Sequence, residues 1–576
     1  MTTTTTPFVP DGLRSGAWDA LEPLFTQLGQ RPIASPAELE RWLLDLSELT
    51  AAVQEFGTRR YIDNSCHTDD PEIEKAFLHF VEQIEPRLKP VLFELEKKYL
   101  ACPWRGQGSL DTVRMRMLDR QWQQEVDLFR QENVALQTEA TKLVNEYDKL
   151  CGAMLVNFRG TEYTLQQMAR FAEEPDRATR EEAWRAAEVR RGQDRQAIDG
   201  LFGPVLDLRH RMALRADCPD FRAYAWKSHQ RFDYSPEDCL RFADTIAKTC
   251  LPLVEKLDQV RRKELGLDRL RPWDMAVDPR GRAALRPFAP DQIDAFVAHT
   301  AAVFQALSPR LGAWFGQLAP GRNLDLDSRK GKRPGGYQAS LERAREPFIF
   351  MNAAGLQRDV ETLLHEGGHA FHYLASRDEP LVFLRSAPIE FCEVASMSME
   401  LLGDDFLGHY YGGSAAGKED AARAKRVHLE GIVRLFPWVA TIDCFQHWLY
   451  THPGHTAPQR TEAWLQVHRR FSSSLVDWSG LEEVRQRLWQ RQPHLFANPF
   501  YYVEYGIAQL GALGVWLNYR RDPAPALAAL LSAFQLAGTR PLPELFRTAG
   551  VPFDFSSAAM GPLMQAIDDE LAKLPL

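Results

Sequence analysis

Helical periodicity is the property of this sequence that most constrains how the chain can fold. Over most of its length, apolar residues recur at spacings of three and four with charged residues between them, which is typical of amphipathic helices packed on a core. The clearest stretches are residues 38–56, 71–100 and 111–150. Pro86 and Pro90 fall inside the second stretch and are expected to break or kink it. The pattern predicts a mainly α-helical protein in which most helices form a scaffold.

One segment, residues 324–352, departs from the helical pattern. It contains the turn signal Pro-Gly-Gly at positions 334–336 and then a short, aromatic-rich apolar run at 347–352, which is typical of a strand. We therefore expect a small β-sheet directly before the helix that carries the most distinctive motif.

Composition excludes several classes of protein. Hydrophobic residues make up 45% of the 576 residues and charged residues 26%, an ordinary globular balance that argues against wholesale disorder. The net charge is −9 and there is no block of five or more basic residues, so we expect no nucleic-acid partner. Apolar runs end well short of the roughly 18 residues that a membrane helix needs, so we expect no membrane partner.

The cysteines and the N-terminus predict the compartment. The eight cysteines form no CxxC pair, which indicates reduced thiols rather than a disulfide framework. The first residues, MTTTTTPFVPDG, lack the basic and apolar regions of a signal peptide. We therefore expect a cytoplasmic protein whose residues 1–15 form a flexible N-terminus.

The sharpest chemical signal is the motif His365-Glu366-Gly367-Gly368-His369, which lies in a segment with helical periodicity. Residues four apart on a helix lie about 40° apart around its axis, so both imidazoles face one side. Zinc binds such nitrogen ligands in a tetrahedral arrangement, and the intervening carboxylate can act as a general base on water. The motif predicts that His365 and His369 bind zinc and that Glu366 is the base.

Two glycines within this helix also require an explanation. Each costs about 1 kcal/mol relative to alanine in a helix interior. Gly367 and Gly368 therefore predict that another group approaches the helix backbone closely, such as the small sheet or a bound substrate.

A catalytic zinc site needs a third protein ligand and an open position. Glu393 is the best candidate because it follows His365 by 28 residues, enough for a loop and a returning helix. Glu390 and Glu400 lie near the same helical face and stay open as alternatives. Two further residues are candidates. Cys392 points about 100° away from Glu393, and His372 fits better as a residue that contacts a metal ligand or the substrate.

A second cluster lies near the C-terminus and contains His494, Tyr501, Tyr502 and Tyr505. Peptide hydrolysis passes through an oxyanion that such side chains can stabilise by hydrogen bonds. A helix expected to begin near Pro499 would pair Tyr501 with Tyr505, although Tyr502 with Tyr505 fits equally well. The alternative interpretation is an aromatic stripe of the core.

With these motifs, the chain resembles the thimet oligopeptidase and oligoendopeptidase F family of zinc metallopeptidases, in particular the oligoendopeptidase F and Pz-peptidase-like branch. The resemblance is densest from about residue 330 to 510 and extends over most of the chain. It rests on Gly335-Gly336-Tyr337, Pro347-Phe348-Ile349-Phe350, His365-Glu366-Gly367-Gly368-His369-Ala370-Phe371-His372, Phe391-Cys392-Glu393, Ser396-Met397-Ser398-Met399-Glu400, and Phe500-Tyr501-Tyr502 with Tyr505.

The resemblance implies a mainly helical, two-lobed clamshell around a deep cleft, with a small sheet beside the zinc-binding helix. It implies one Zn²⁺ per chain and hydrolysis of internal bonds in short peptides, which would be the partners of the protein. We expect residues 16–160 to form an N-terminal helical region and residues 161–576 a zinc peptidase domain with its core at about 330–510. The oligomeric state is not predicted.

The resemblance also assigns roles to individual residues. His365, His369 and Glu393 would bind zinc, Glu366 would be the base, and the C-terminal cluster would stabilise the oxyanion. The strand at 348–352 would pair with the substrate backbone at a sheet edge, beneath a glycine-rich loop. The residues expected to bind substrate are Gly335, Gly336, Tyr337, Phe350, Asn352 and His372.

One departure from the family pattern affects the tyrosines. Many relatives carry FYVYxY, whereas this chain carries Phe-Tyr-Tyr-Val-Glu-Tyr at 500–505, so the hydroxyl that stabilises the oxyanion is not assigned. Two rival functions stay open. An exopeptidase would capture a peptide terminus with a residue such as Arg333, Arg343 or Arg345, and a silent peptide-binding scaffold would hold a structural zinc.

Overall fold

The computed structural model describes residues 7–329, 332–333 and 335–576 of the chain. Helices account for 69% of the residues, and the described strands form one sheet of two strands and one of three. The predicted mainly α fold class is therefore confirmed. Pro334 of the predicted turn lies outside the described residues, as do residues 1–6 of the predicted flexible N-terminus.

The first fourteen α-helices come before the three-stranded sheet is complete. They are α1 (Trp18–Gln30), α2 (Pro36–Cys66), α3 (Pro71–His79), α4 (Glu85–Leu100), α5 (Val113–Leu128), α6 (Gln131–Gly152), α7 (Leu165–Met168), α8 (Arg177–Gln193), α9 (Arg195–Arg215), α10 (Phe221–Ser228), α11 (Pro236–Thr249), α12 (Leu251–Glu264), α13 (Ile293–Leu307) and α14 (Pro309–Phe315).

The remaining α-helices follow the sheet. They are α15 (Gln357–Ser376), α16 (Ile389–Gly403), α17 (Gly408–Tyr411), α18 (Ala415–Thr451), α19 (Ala457–Phe471), α20 (Glu482–Gln486), α21 (Pro493–Ala497), α22 (Val503–Arg521), α23 (Pro523–Leu536), α24 (Leu542–Thr548) and α25 (Ser557–Leu571). The strands are β1 (Leu155–Phe158), β2 (Thr161–Thr164), β3 (Leu324–Asp327), β4 (Tyr337–Leu341) and β5 (Glu346–Ala353).

Local sequence signals explain where helices begin. Ser235 caps α11 by accepting from the backbone N–H of Asp238, whose carboxylate accepts from Ser235 N in return. Proline at the first helical position loses no hydrogen bond there. The second long helical stretch, expected to break or kink at Pro86 and Pro90, is interrupted just before Pro86 and not at Pro90. Phe80–Ile84 forms a π-helical turn before α4, Pro86 lies in the first turn of α4, and Pro90 lies inside that helix without ending it.

The chain divides into two compact units, each built from three segments. Unit 1 comprises Met1–Asp127, Arg286–Ala424 and Gly511–Phe553. Unit 2 comprises Leu128–Leu285, Lys425–Leu510 and Asp554–Leu576. The predicted regions 16–160 and 161–576 are each continuous in sequence, so the structural division follows different boundaries.

The N-terminal helices of unit 1 share an aromatic core. Tyr99 and Trp122 meet edge to face with ring centroids 4.9 Å apart, and Trp42 is fully buried in the same cluster. The described part of the predicted flexible N-terminus is anchored on these helices. Val9 is buried, and the backbone N–H groups of Phe8 and Val9 donate to the Glu48 carboxylate.

The three-stranded sheet of unit 1 has β5 at its centre. β5 pairs in parallel with β3 and antiparallel with β4, with Ile349 opposite Leu324 and Phe350 opposite Tyr337. Both sides of β5 are therefore occupied, and the prediction that residues 348–352 add a substrate strand at a sheet edge is wrong. The edges belong to β3 and β4.

Among the described residues, none of the helices combines the length and the apolar composition that a bilayer crossing requires.

Candidate active site

The two motif histidines lie on one face of α15. Their Nε2 atoms are 3.2 Å apart, and the rings stand nearly perpendicular with centroids 4.9 Å apart. The start of α15 is fixed by Asp359, whose carboxylate accepts from the backbone N–H groups of Ala354 and Leu356. Both imidazoles therefore point to one position beside the helix, as the spacing predicts.

Glu393 on α16 reaches the same position. Its Oε2 atom lies 3.3 Å from His365 Nε2 and 3.6 Å from His369 Nε2. One ligand atom of each residue lies within 4.8 Å of the others, and among the described residues this is the one group of three or more that could hold a metal ion. The Ser396 hydroxyl donates to Glu393 Oε2 at 3.0 Å and so orients the carboxylate. The arrangement supplies two imidazole nitrogens and a carboxylate oxygen, which fits zinc.

The other candidate ligands on α16 lie outside this group. Cys392 Sγ points to the carbonyl of Ala387 at 3.5 Å, and Glu390 is buried elsewhere at the start of the helix. Glu400 instead accepts a hydrogen bond from His365 Nδ1 at 2.6 Å. A carboxylate in this position fixes the imidazole tautomer with Nε2 facing the ligand position.

Sequence reasoning treated Glu400 only as a weak ligand candidate and missed this orienting contact. The available signal was the spacing of seven residues from Glu393, which returns to nearly the same helical face two turns later.

Charge and burial oppose each other at Glu393. Burial alone would raise the pKa of its carboxyl, but the neighbouring imidazoles of His369 and His365 and the hydrogen bond from Ser396 outweigh burial and lower this pKa to about 2. Glu393 is therefore held as a carboxylate, the form that binds a cation.

Glu366 has the opposite environment. Burial raises the pKa of its carboxyl to about 7, with His365 opposing the shift and Glu393 adding to it. Its Oε2 atom is buried and has no hydrogen-bond partner in the described part of the chain. A carboxylate with this pKa and one unsatisfied oxygen suits a general base.

The two glycines of the motif admit neighbouring elements. A Cβ atom at Gly368 would lie 2.5 Å from Ser396 Cα and 2.7 Å from Ala395 O on α16, and one at Gly367 would lie 2.7 Å from the Phe304 ring on α13. The expected close approach is confirmed, and the groups that approach are two helices rather than the small sheet. Gly368 allows α16 to bring Glu393 to the histidines.

The edge strand β4 contacts the motif helix. The backbone N–H of Gln338 donates to the Glu366 carboxylate. Among the described strands, none pairs with β4 on the side away from β5. The strand edge beside Glu366 therefore belongs to β4. The sequence analysis did not identify this edge, because local composition does not determine the order of strands in a sheet.

The predicted substrate-binding residues near the sheet differ in exposure. Phe350 is fully buried and stacks on Tyr337, with ring centroids 4.9 Å apart, so its side chain forms core. Asn352 donates from Nδ2 to the carbonyls of Arg333 and Gly335, which holds the glycine-rich loop against β5. A Cβ atom at Gly336 would lie 3.2 Å from Thr362 Cγ2 on α15 and 3.4 Å from the Phe350 carbonyl oxygen on β5.

His372 lies apart from the metal group. Its ring packs against Phe391 and Phe534, and burial followed by the charge of His369 lowers its pKa to about 3. Burial this deep favours a packing role over the predicted substrate contact.

The four residues of the C-terminal cluster meet in unit 2. The ring centroid of His494 lies 6.0, 5.0 and 5.9 Å from those of Tyr501, Tyr502 and Tyr505, and Tyr505 lies 5.4 Å from each of the other tyrosines. The expected helix start is wrong, because α22 begins at Val503 and leaves Tyr501 and Tyr502 before it. Burial raises the pKa of Tyr502 to about 12 and lowers that of His494.

Two imidazoles and a carboxylate converging beside a buried glutamate define a metallopeptidase type of site, and comparison with known proteins agrees. The sequence profile of peptidase family M3 matches residues 170–304 and 315–560. This match covers more than half of the chain, and the protein belongs to peptidase family M3.

Individual relatives extend the likeness. Oligopeptidase PepF of Bacillus subtilis (strain 168) is 24% identical over 317 residues, which is 54% of this chain and 45% of the relative. The match thus spans less than half the length of that curated protein.

Solved structures match over nearly the whole chain. PZ peptidase A with an inhibitor is 26% identical with a TM-score of 0.89, covering 97% of this chain and 98% of that one. A protein described as an oligoendopeptidase F is also 26% identical with a TM-score of 0.89, covering 99% of both chains.

Proposed function

We propose that the protein is a zinc-dependent oligoendopeptidase that hydrolyses internal bonds of short peptides. The observation that carries the proposal is the convergence of His365, His369 and Glu393 on one position, with Glu366 next to them in the chain. Membership of peptidase family M3 supports peptide hydrolysis, and the names of the relatives support an oligopeptidase.

We assign one Zn²⁺ per chain to His365, His369 and Glu393. Bound there, zinc would polarise a carbonyl and lower the pKa of a water molecule. The group offers three ligands among the described residues, whereas structural zinc sites fill all four positions with protein. The donor count therefore supports a catalytic ion over the silent scaffold.

Glu366 acts as the general base in this proposal. Its carboxylate takes a proton from the attacking water and delivers it to the amine that leaves. Burial raises the pKa of this carboxyl, which makes it a stronger proton acceptor, and the backbone N–H of Gln338 opposes the shift.

We propose that the substrate backbone pairs with β4 rather than with β5. An extended peptide that lies along a free strand edge gains main-chain hydrogen bonds. β4 offers that edge beside Glu366, so a peptide paired there would present one internal bond to the base. Gly335, Gly336 and Asn352 would shape the loop at the start of β4.

We assign oxyanion stabilisation to the cluster of His494, Tyr501, Tyr502 and Tyr505. Phenol and imidazole groups supply the hydrogen-bond donors that this charge requires. A phenol is protonated, and thus a donor, at neutral pH, and burial raises the pKa of Tyr502 further, to about 12. We further propose that the enzyme is cytoplasmic. Its active site would lie in a cleft that admits short peptides and excludes folded proteins.

A peptide library with blocked ends tests the function. The purified protein is incubated with and without a chelator, and products are identified by mass spectrometry, with a folded globular protein as a parallel substrate. We expect internal cleavage that stops with the chelator and returns with added zinc. Cleavage only of peptides with a free terminus would identify an exopeptidase, and no cleavage of any peptide would favour the scaffold.

A further inference from the structure

The backbone just before the tyrosines adopts an unusual conformation. Phe500 has a φ of +67°, in the left-handed region that a bulky L residue enters only at a cost. Its ring is fully buried against Trp226, His447 and Tyr450. A strained residue persists where its surroundings over-determine its geometry, and such residues cluster at functional sites.

Three polar side chains contact the two peptide groups around Phe500, and a fourth, Glu504, pairs with one of them. Arg231 Nη2 donates to the carbonyl of Phe500, and the N–H of Phe500 donates to Gln446 Oε1, each at 2.5 Å. The same Arg231 nitrogen donates to Glu504 Oε1 at 2.7 Å. His229 Nε2 lies 3.0 Å from the carbonyl oxygen of Pro499. We name this set, His229, Arg231, Gln446 and Glu504, the Phe500 clamp.

The buried ion pair in the clamp carries a large desolvation cost. The side chains of Arg231 and Glu504 are both 0% exposed, and the guanidinium also lies 4.6 Å from the centroid of Trp226. Desolvation of two charges offsets much of their attraction, so a buried pair is weak evidence of stabilisation. Besides balancing the charge of Glu504, Arg231 donates to the Phe500 carbonyl, which precedes Tyr501.

We propose that the Phe500 clamp is a set of positioning residues for the tyrosine hydroxyls. The proposal rests on the assignment of the tyrosine cluster to the oxyanion under the proposed function. Tyr501 and Tyr502 directly follow Phe500 and precede α22. The Tyr501 N–H donates to the Asn498 carbonyl at 3.2 Å in a turn, and the clamp side chains contact the other three polar groups of the two peptides around Phe500. The orientation of both rings toward His494 and Tyr505 therefore depends on the backbone of Phe500.

Clamped geometry has a direct kinetic consequence. A displacement of about 1 Å in a group that acts on the transition state can cost about 10²-fold in rate. Because these donors act on the oxyanion and not on the bound peptide, loosening the clamp should lower kcat and leave KM nearly unchanged.

A double-mutant cycle tests the proposal in the zinc-loaded full chain. The clamp variant is the paired substitution Arg231→Met with Glu504→Met, which removes both charges together. The same pair is also made in a protein that carries Tyr501→Phe, Tyr502→Phe and Tyr505→Phe. We expect the pair to lower kcat by about 10- to 100-fold in the native background and to have almost no further effect when the hydroxyls are absent.

Two further variants control for folding. Arg487 and Glu188 form another buried ion pair of unit 2, and Arg487 also donates to the Glu188 carbonyl, so Arg487→Met with Glu188→Met is a matched pair away from the tyrosines. It should leave kcat unchanged. Gln446→Met removes one clamp bond and no charge, and it should reproduce the kcat loss if the paired variant fails to fold.

The outcomes distinguish a failure of the oxyanion assignment from a failure of the clamp proposal alone. Full kcat in the triple tyrosine variant would refute the oxyanion assignment and the clamp together. Reduced kcat there, with full kcat in a folded clamp variant, would refute the clamp alone. A clamp effect of equal size in both backgrounds would show that these residues act on global structure, which also overturns the proposal.

Discussion

Glu400 accepts a hydrogen bond from the Nδ1 of His365 at 2.6 Å, while the Nε2 of the same ring lies 3.3 Å from Glu393. One imidazole thus joins two carboxylates of α16 that stand seven residues apart. Glu393 contributes a ligand atom, and Glu400 sets the tautomer and the direction of the ring.

Glu400→Ala should weaken zinc binding without abolishing it. Loss of an orienting carboxylate behind a histidine ligand typically costs 10- to 100-fold in metal affinity, or about that much in activity. The affinity is measured by competition with a chromogenic chelator. Glu390→Ala, on the same helix but outside the group, is the control, and equal affinities for the two variants would contradict the orienting role.

Glu393→Ala should remove most of the bound zinc after dialysis, because it deletes a ligand and leaves two imidazoles. Elemental analysis gives zinc per chain. Cys392→Ala changes the neighbouring residue, whose Sγ points to Ala387, and should retain the metal. If Cys392→Ala loses zinc and Glu393→Ala keeps it, the wrong third ligand has been assigned.

Gly368→Ala should destabilise the protein and lower its zinc content. The new methyl group would lie 2.5 Å from Ser396 Cα, a backbone atom that cannot move without shifting α16. Such overpacking typically costs about 1–3 kcal/mol. Gly431→Ala is the matched control, since it lies in α18 with open space around it and should gain up to about 1 kcal/mol. Thermal unfolding of both variants checks the opposite signs of the change in Tm.

Stability should fall as the pH drops below 6.5, in part through His468. Burial, followed by the charges of Arg485, Arg491 and Arg469, lowers the pKa of this imidazole to about 3. In the unfolded chain the pKa is about 6.5, so between these values the unfolded state binds more protons and is stabilised relative to the folded state as the pH falls. The loss begins near pH 6.5 and levels off near pH 3.

Comparison with His468→Gln isolates this contribution. Between pH 7 and 5 the native protein should lose about 1–2 kcal/mol more stability than the variant. Thermal unfolding at both pH values provides the test, and the metal ligands titrate equally in both proteins. Parallel loss of Tm in the two proteins would show that His468 is protonated freely in the folded state.

The helical fold and the ligand set follow from short-range information. Residues four apart on a helix face one way, so the convergence of His365 and His369 could be predicted from spacing alone. The glycines could be recognised as points of close approach because their cost in a helix is local.

What escaped prediction depends on long-range pairing. The central strand of the three-stranded sheet is determined by contacts across more than 20 residues of chain. Local sequence does not reveal these contacts, so the sequence analysis places the substrate-binding edge at β5 instead of β4. The partner of Gly368 lies on a helix that returns later in the chain. Phe500 has a left-handed φ and contacts Arg231 and Gln446, which are far away in sequence, and α22 begins at Val503 rather than near Pro499.

The most direct test of the whole account compares zinc content and turnover in Glu366→Gln. The amide keeps the size of the side chain but cannot take a proton from water, and loss of a general base typically costs about 10²- to 10⁴-fold in rate. Zinc per chain is measured by elemental analysis, and kcat on an internally quenched peptide with blocked ends. We predict one zinc per chain and a kcat lower by that factor, whereas near-normal turnover in the zinc-loaded variant would contradict the assignment of Glu366 as the general base.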